Sequence, residues 1–379
     1  MPARSDKGGA GAAAQLILEL LPEPVLVVRG REGEAPEIAY GNKAAREVFR
    51  IELAGAPLGA ALRRPEVLET IEHALATATD AEVAFETIGV QPRFWRAFAR
   101  PLESSAGLPR ELVVMLRDET DARRTERMRA DFLANASHEL RTPLASLAGF
   151  VETLRTHAKD DAVAREKFLG IMAQQATRMA RLVDDLLSLS RIELNEHIAP
   201  SGRVELVRTI QDVMDALRPL TAERGVMIAL QASTESNPVT GDRDQLVQVI
   251  QNLVDNAVKY TPRGAAVRVA LESAPTLEAA RAPSRPGVGL SLLSPDAGEG
   301  QAYVVLRVTD DGPGIARQHL PRLSERFYRV EGQRADGTGL GLAIVKHVVN
   351  RHRGGLMVES AEGEGTTFSV YLPVAPPQS

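Results

Sequence analysis

Cysteine does not occur anywhere in the chain. That absence removes disulfides, zinc–thiolate sites and thiol nucleophiles from the possible chemistries, and it agrees with a reducing compartment. A long apolar run is missing as well. The most apolar stretch near the N-terminus, Leu16 to Val28, is interrupted by Glu19, Pro22, Glu23 and Pro24, and a bilayer helix needs about 20 apolar residues in succession. The same stretch has neither the h-region nor the cleavage site of a signal peptide. These absences predict a cytoplasmic protein without a membrane span. Charge of one sign is not concentrated either: 45 basic and 50 acidic residues are interleaved, for a net charge of −5, which argues against a dominant nucleic-acid surface.

What is present suits an ordinary soluble protein. With 379 residues, 44% hydrophobic and 25% charged, the chain has material for two or three domains with real cores. Residues 1–12 are Gly/Ala-rich and predict a disordered tail. From 13 to 118, strand-like runs at 25–28, 82–87, 93–102 and 111–120 surround helical patterns at 42–50 and 65–78, a small α+β unit. From 119 to 200 the pattern is helical. Leu133, Ala136, Leu140, Leu144, Leu147, Val151 and Leu154 form one stripe; Phe168, Ile171, Met172, Gln175, Met179, Leu182, Leu186 and Leu189 form a second. A short turn near 157–161 makes the two helices antiparallel. One such hairpin cannot enclose its own stripes, whereas two make a four-helix bundle, so a homodimer is predicted. Residues 201–376 mix helix and strand again, with a helix at 243–260. The Pro/Ser/Gly/Ala-rich segment 273–300 reads as a flexible insertion between two hairpin strands.

Three clusters in this last region could carry chemistry. In QNLVDNAVKYT (251–261), Asn252, Asn256, Lys259 and Tyr260 recur at helical spacing on nearly one face. Asparagine is a mediocre helix former, and its amide oxygen suits Mg²⁺ while lysine suits phosphate; the same face reads equally well as a solvated one. In VTDDGPGI (308–315) a strand ends at Asp310 before Gly312 and Gly314, which alone is a turn signal. In DGTGLGLAIVK (336–346), Gly337, Gly339 and Gly341 open an apolar helix, an arrangement able to offer backbone N–H groups to a polyphosphate. The GxGxG spacing disfavours a dinucleotide-binding unit. No GxxxxGK[ST] run and no HRD or DFG tripeptide occurs, which excludes a P-loop and a eukaryotic-type kinase.

HELRTPL, NLVDNAVKY, DDGPGI, ERFYRV and GTGLGLAIVK, in that order, resemble the H, N, G1, F and G2 boxes of bacterial sensor histidine kinases, and GGLMVESAEGEGTTF resembles their last glycine segment. The likeness covers about 119–376. AYGNKAAREVF resembles part of a PAS sensor domain, and a PAS unit followed directly by this core is most similar to the phosphate-regulon sensors of the PhoR type. The resemblance implies a multidomain α+β protein: a PAS-like α/β sensor domain (13–118), a helical-hairpin dimerisation and phosphotransfer domain (119–200), and a Bergerat-type α/β sandwich that binds ATP (201–376). It implies Asn256 as the Mg²⁺ ligand with Asn252 nearby, Lys259 and Tyr260 toward phosphate and ribose or adenine, and Asp310 on the adenine amino group. Gly312 and Gly314 would permit close approach of the base, with Thr366 beside them. Gly337, Gly339, Leu340 and Gly341 would form the lid hinge and phosphate cradle, and Arg326 would approach the γ-phosphate. Departures from the family pattern are Ser324 in place of a phenylalanine, Asp311 in place of an asparagine, and the long 273–300 insertion.

The same resemblance makes His138 the phosphoryl acceptor, Glu139 its orienting base and Thr142 part of a phosphatase site. Neutral imidazole is a nucleophile at physiological pH, and His138 lies off the apolar stripe, where an acceptor must be. Pro143 removes an N–H and crowds the carbonyl of Glu139, predicting a bend beside the acceptor. The implied partner is a response-regulator receiver domain of the OmpR/PhoB type, and the implied input at the PAS-like unit is a small ligand or a protein signal. The alternatives are a phosphatase-biased or degenerate scaffold that only holds a regulator, which the intact His138, Asn256, Asp310 and glycine triplet oppose, and another ATPase of the same nucleotide fold, which the HELRTP hairpin opposes.

Overall fold

The computed structural model describes residues 16–30, 34–87, 92–102, 109–159, 161–232, 238–284, 289–295, 300–330 and 337–376. The predicted tail 1–12 lies outside the described residues, as do 285–288 and 296–299 of the insertion. Two compact units, Met1–Asp131 and Phe132–Ser379, divide the chain.

In the first unit, strands β1 (Val25–Gly30), β2 (Glu37–Gly41), β3 (Ala81–Thr87), β4 (Arg93–Leu102) and β5 (Arg110–Asp118) form one antiparallel sheet in the order β2-β1-β5-β4-β3. Alternation puts Trp95, Ala97 and Ala99 of β4 and Leu112, Val114 and Leu116 of β5 on the buried face. Helix α3 (Pro65–Thr77) lays Val67, Ile71, Ala74 and Leu75 on that face, at the three- and four-residue steps that make one helical stripe. Helices α1 (Lys43–Phe49) and α2 (Leu58–Ala61) complete the unit. Asn42 explains the asparagine of AYGNKAAREVF. Fully buried, it caps α1 by accepting from Ala45 N at 2.9 Å and also accepts from Val25 N at 3.0 Å. Its amide nitrogen donates to the carbonyls of Leu18 and Glu23. Both ends of the amide are satisfied, which is what permits its burial.

The second unit contains most of α4 (Thr120–Arg155), which runs as one helix through the buried Pro143, and α5 (Ala162–Leu194). Asp161 caps α5 by accepting from Val163 N and Ala164 N. Beyond the hairpin, β7 (Met227–Ala232), β9 (Ala266–Ala274), β10 (Gly289–Leu293), β11 (Tyr303–Asp310), β12 (Gly355–Ser360) and β13 (Thr366–Pro373) form a sheet ordered β10-β12-β13-β11-β9-β7, antiparallel except for β7 against β9. A two-residue ribbon, β6 (Arg203–Val204) with β8 (Val239–Thr240), lies outside it. Helices α6 (Leu206–Arg224), α7 (Arg243–Tyr260) and α9 (Gly341–Arg351) cover one face. There Val304, Leu306 and Val308 of β11 meet Ile250, Leu253 and Val254 of α7 and Ile344, Val345 and Val348 of α9 in one core.

Two expectations require correction. The insertion is not simply a flexible loop: its described residues form α8 (Leu277–Ala280) and strand β10, which crosses to the far edge of the sheet beside β12. They cover the sheet's second face, where Ala280, Tyr303, Val305, Met357 and Tyr371 are buried together. Ser284 donates to Glu359, Arg307 to the carbonyl of Ala282, and Tyr371 to that of Leu293. The second hairpin stripe is also divided. Leu182 and Leu189, together with Ile192, are buried in the core beneath the six-stranded sheet rather than left for a bundle seam, because an amphipathic stripe does not specify which apolar surface will cover it.

Candidate functional site

Helix α7 buries Leu246, Val249, Ile250, Leu253, Val254, Ala257 and Val258, which leaves Asn252, Asn256 and Lys259 half-buried and Tyr260 exposed on its other side. The glycine positions show what faces them. A Cβ at Gly341 would stand 2.9 Å from Asn252 Oδ1, and one at Gly337 would stand 3.1 Å from Lys259 Nζ. A Cβ at Gly312 would fall 2.6 Å from Asp310 Oδ1 and 2.9 Å from the carbonyl of Tyr260. Three clusters separated in sequence therefore meet at one place, and at Gly312 the backbone of Tyr260 leaves no room for a side chain.

Asp310 ends β11 nearly buried, and its Oδ1 accepts from Gly312 N at 2.8 Å. Thr366 pairs with Asp310 in the β11–β13 register, and Ser360, hydrogen-bonded to Thr366, accepts from Ile315 N. The loop that carries Gly312 is thereby tied to the sheet. Gly314, at φ +69°, has a carbonyl 1.8 Å from where a Cβ would be. Gly339, at φ +71°, turns the chain against Phe327 just before α9. Leu340 is buried and stands at the N-terminus of α9, which it does not cap through its side chain. Asp311 pairs with Arg268 at 2.7 Å. Ser324 is buried, and the ring of Phe327, three residues on, lies 5.9 Å from that of Phe132.

One histidine braces this site from behind. His352, 3% exposed, joins the two helices that frame the clusters: its Nε2 accepts from Asp242 N at the start of α7, and its Nδ1 donates to the carbonyl of Val348 in α9. The neutral ring is the form that can do both, and burial lowers its pKa.

On the hairpin, His138 is exposed and Glu139 half-buried. Arg178 of α5 reaches across to Glu139 Oε2 at 3.5 Å. Thr142 Oγ1 donates to the carbonyl of His138. Arg326, expected near a phosphate, instead pairs with Glu193 of α5 and lies over the ring of Phe132. Sequence reasoning did not single out Arg178, Asp185, Glu193 or Glu196, since charged residues on a helix look like a solvated face until a partner is known. No group of three or more His, Asp or Glu among the described residues could hold a metal by itself.

Comparison with known proteins agrees with this arrangement. Residues 128–195 match the His Kinase A (phospho-acceptor) domain, and residues 241–376 match the histidine kinase-, DNA gyrase B- and HSP90-like ATPase domain. The phosphate regulon sensor protein PhoR of Pseudomonas aeruginosa is 38% identical over 69% of this chain and 54% of its own length. The sensor histidine kinase WalK of Bacillus subtilis is 31% identical over 69% of this chain and 39% of its own. The solved structure of the Acinetobacter baumannii histidine kinase AdeS aligns with 63% of this chain and 98% of that one at 23% identity, with a TM-score of 0.45. The chain thus spans roughly half the length, or less, of these two curated relatives. An acceptor-type helical hairpin leading into this ATPase fold places the chain in the family of sensor histidine kinases.

Proposed function

We propose that this chain is an ATP-dependent, dimeric protein-histidine kinase that phosphorylates His138 and passes the phosphoryl group to an aspartate of a response-regulator receiver domain. The observation that carries the reading is the convergence of Gly337 and Gly341 on Lys259 and Asn252, beside Asp310 and Gly312. A glycine-lined helix N-terminus with lysine and amide oxygens suits a polyphosphate, and the nearly buried Asp310 carboxylate suits an amino group of adenine. Asn256 would hold Mg²⁺. A single neutral amide oxygen fits that ion because Mg²⁺ keeps several waters and takes its remaining oxygens from substrate phosphates. The ion would supply charge neutralisation between the phosphates.

In the reaction, a ring nitrogen of His138 attacks the γ-phosphorus, the N–P bond forms as the bond to the bridging oxygen breaks, and ADP leaves. Glu139 accepts the imidazole proton. In transfer, a carboxylate oxygen of the receiver attacks the same phosphorus and the N–P bond breaks. A partner of the OmpR/PhoB type follows from the likeness to PhoR. We further infer that the first unit is a PAS-like input domain, which its antiparallel sheet with helices over one face supports. Both the start of this unit at about residue 13 and the division near 119 and 200 belong to this reading. Among the described residues no helix is long and apolar enough to cross a membrane, which suits a cytoplasmic kinase core.

The test is labelling with γ-labelled ATP. The parent chain should acquire acid-labile label, whereas His138→Gln should acquire none and still bind ATP within about twofold, the acceptor and the nucleotide site lying on different elements. Persistent acid-labile label in the variant would remove His138 as the acceptor.

A further inference from the structure

Two carboxylates of α5 and a third in the turn that follows it hold the part of the ATPase fold that carries the glycine loop. Asp185 Oδ2 accepts from Thr338 Oγ1 at 2.9 Å, and the same threonine oxygen accepts from Leu340 N at 3.3 Å, immediately before α9. Glu193 takes the guanidinium of Arg326 and lies 3.6 Å from His347 Nε2. Glu196 accepts from Asn350 Nδ2 at 2.6 Å and lies 3.3 Å from His347 Nδ1. Steps of four and three residues bring Asp185, Leu189 and Ile192 onto one side of α5, with Glu193 alongside and Glu196 in the turn just beyond its end. Leu189 and Ile192 are buried, so the docking face has an apolar centre and an acidic rim.

Two of these contacts involve groups with anion-binding chemistry: a hydroxyl bonded to the amide ahead of α9, and a guanidinium. Carboxylate and phosphate are alternative acceptors for both. We propose that docking of α5 and binding of a nucleoside triphosphate compete, with Asp185 and Glu193 occupying Thr338 and Arg326 until a polyphosphate displaces them. ATP loading then frees the ATPase fold from its own hairpin, a precondition for presenting the γ-phosphate to the exposed His138. This rests on the reading of the glycine loop as a polyphosphate site. Linkage makes the coupling reciprocal: the factor by which docking weakens nucleotide binding is the factor by which bound nucleotide weakens docking. A fold docked about nine-tenths of the time binds about tenfold more weakly than a free one.

The experiment measures binding of the non-hydrolysable analogue AMPPNP with Mg²⁺ to the full chain by calorimetry. Asp185→Asn, Glu193→Gln and Glu196→Gln should each tighten binding several-fold, up to about tenfold. Glu196 is included because its partners lie at the far end of α9, so it reports docking without touching the loop. A second readout uses the absence of native cysteine. Ser188 Oγ donates to Gln248 Oε1 across the hairpin–sandwich contact at 2.9 Å, so a Ser188→Cys, Gln248→Cys pair can be bridged by a short bismaleimide. AMPPNP should slow the bridging, and the bridged protein should bind it more weakly. Unchanged affinity in all three variants, with bridging indifferent to nucleotide, would overturn the competition while leaving the kinase reading intact. A parent chain that binds no AMPPNP would overturn the polyphosphate reading and this proposal with it.

Discussion

Thr142 lies one turn beyond His138, and its hydroxyl donates back to the carbonyl of that histidine at 3.3 Å. Such a back-bond uses the proton but leaves oxygen lone pairs directed outward, where a water can be held for in-line attack on a phosphorylated receiver. Thr142→Ala is therefore expected to retain labelling of His138 and to lose most, about tenfold or more, of the phosphate release from a phosphorylated regulator, with Thr142→Ser restoring it. The measurement is release of inorganic phosphate from the phosphorylated receiver domain. At this scale the exposure of His138 was legible, because helical spacing set it off the apolar stripe. The engagement of Arg326 by Glu193 was not legible: the two lie 133 residues apart, and nothing local signals the pairing.

Among the elements, α7 has the bounds its sequence suggested, since Asp242 caps it by accepting from Asp244 N and Gln245 N, and Pro262 follows its end. Strand β2 and the added strand β10 were not legible, because five-residue strands gain their identity from a partner far along the chain. The brace between α7 and α9 yields a pH prediction. His352 has its folded pKa lowered below the ordinary 6.5 by burial. A depressed histidine favours the folded state fully above the unfolded pKa, and that contribution is lost as pH falls below about 6.5 and through the folded value. The urea midpoint should accordingly fall between pH 7.5 and pH 5, and His352→Gln should flatten that part of the fall while lowering the midpoint at pH 7.5 by the equivalent of about 1–2 kcal/mol. Parallel slopes in the two proteins would assign the acid sensitivity to other groups.

At the scale of the whole molecule, one copy of the hairpin leaves Leu133, Leu144 and Val151 of α4 and Leu187 and Leu194 of α5 exposed, Leu144 at 58% and Leu194 at 72%. Burying such side chains is worth about 1.5–3 kcal/mol each, and a second hairpin presents the matching stripes. Light scattering of the full chain should give a dimer, and the pair Leu144→Glu, Val151→Glu should give a monomer with unchanged helical circular dichroism; a parent chain that stays monomeric would remove the four-helix bundle. The inserted strand has a consequence of a different kind. Without β10, the six wholly buried residues of β12 would present an open ladder of amide and carbonyl groups, the template on which foreign strands add and fibres grow. β10 occupies that ladder and replaces it with an edge of five residues that begins at a glycine and slips register between Ser291 and Leu293. A short, irregular border is a poor template for growth. Residues that resemble a dispensable loop thus guard colloidal solubility, and a chain trimmed between β9 and β11 would aggregate before it lost its fold.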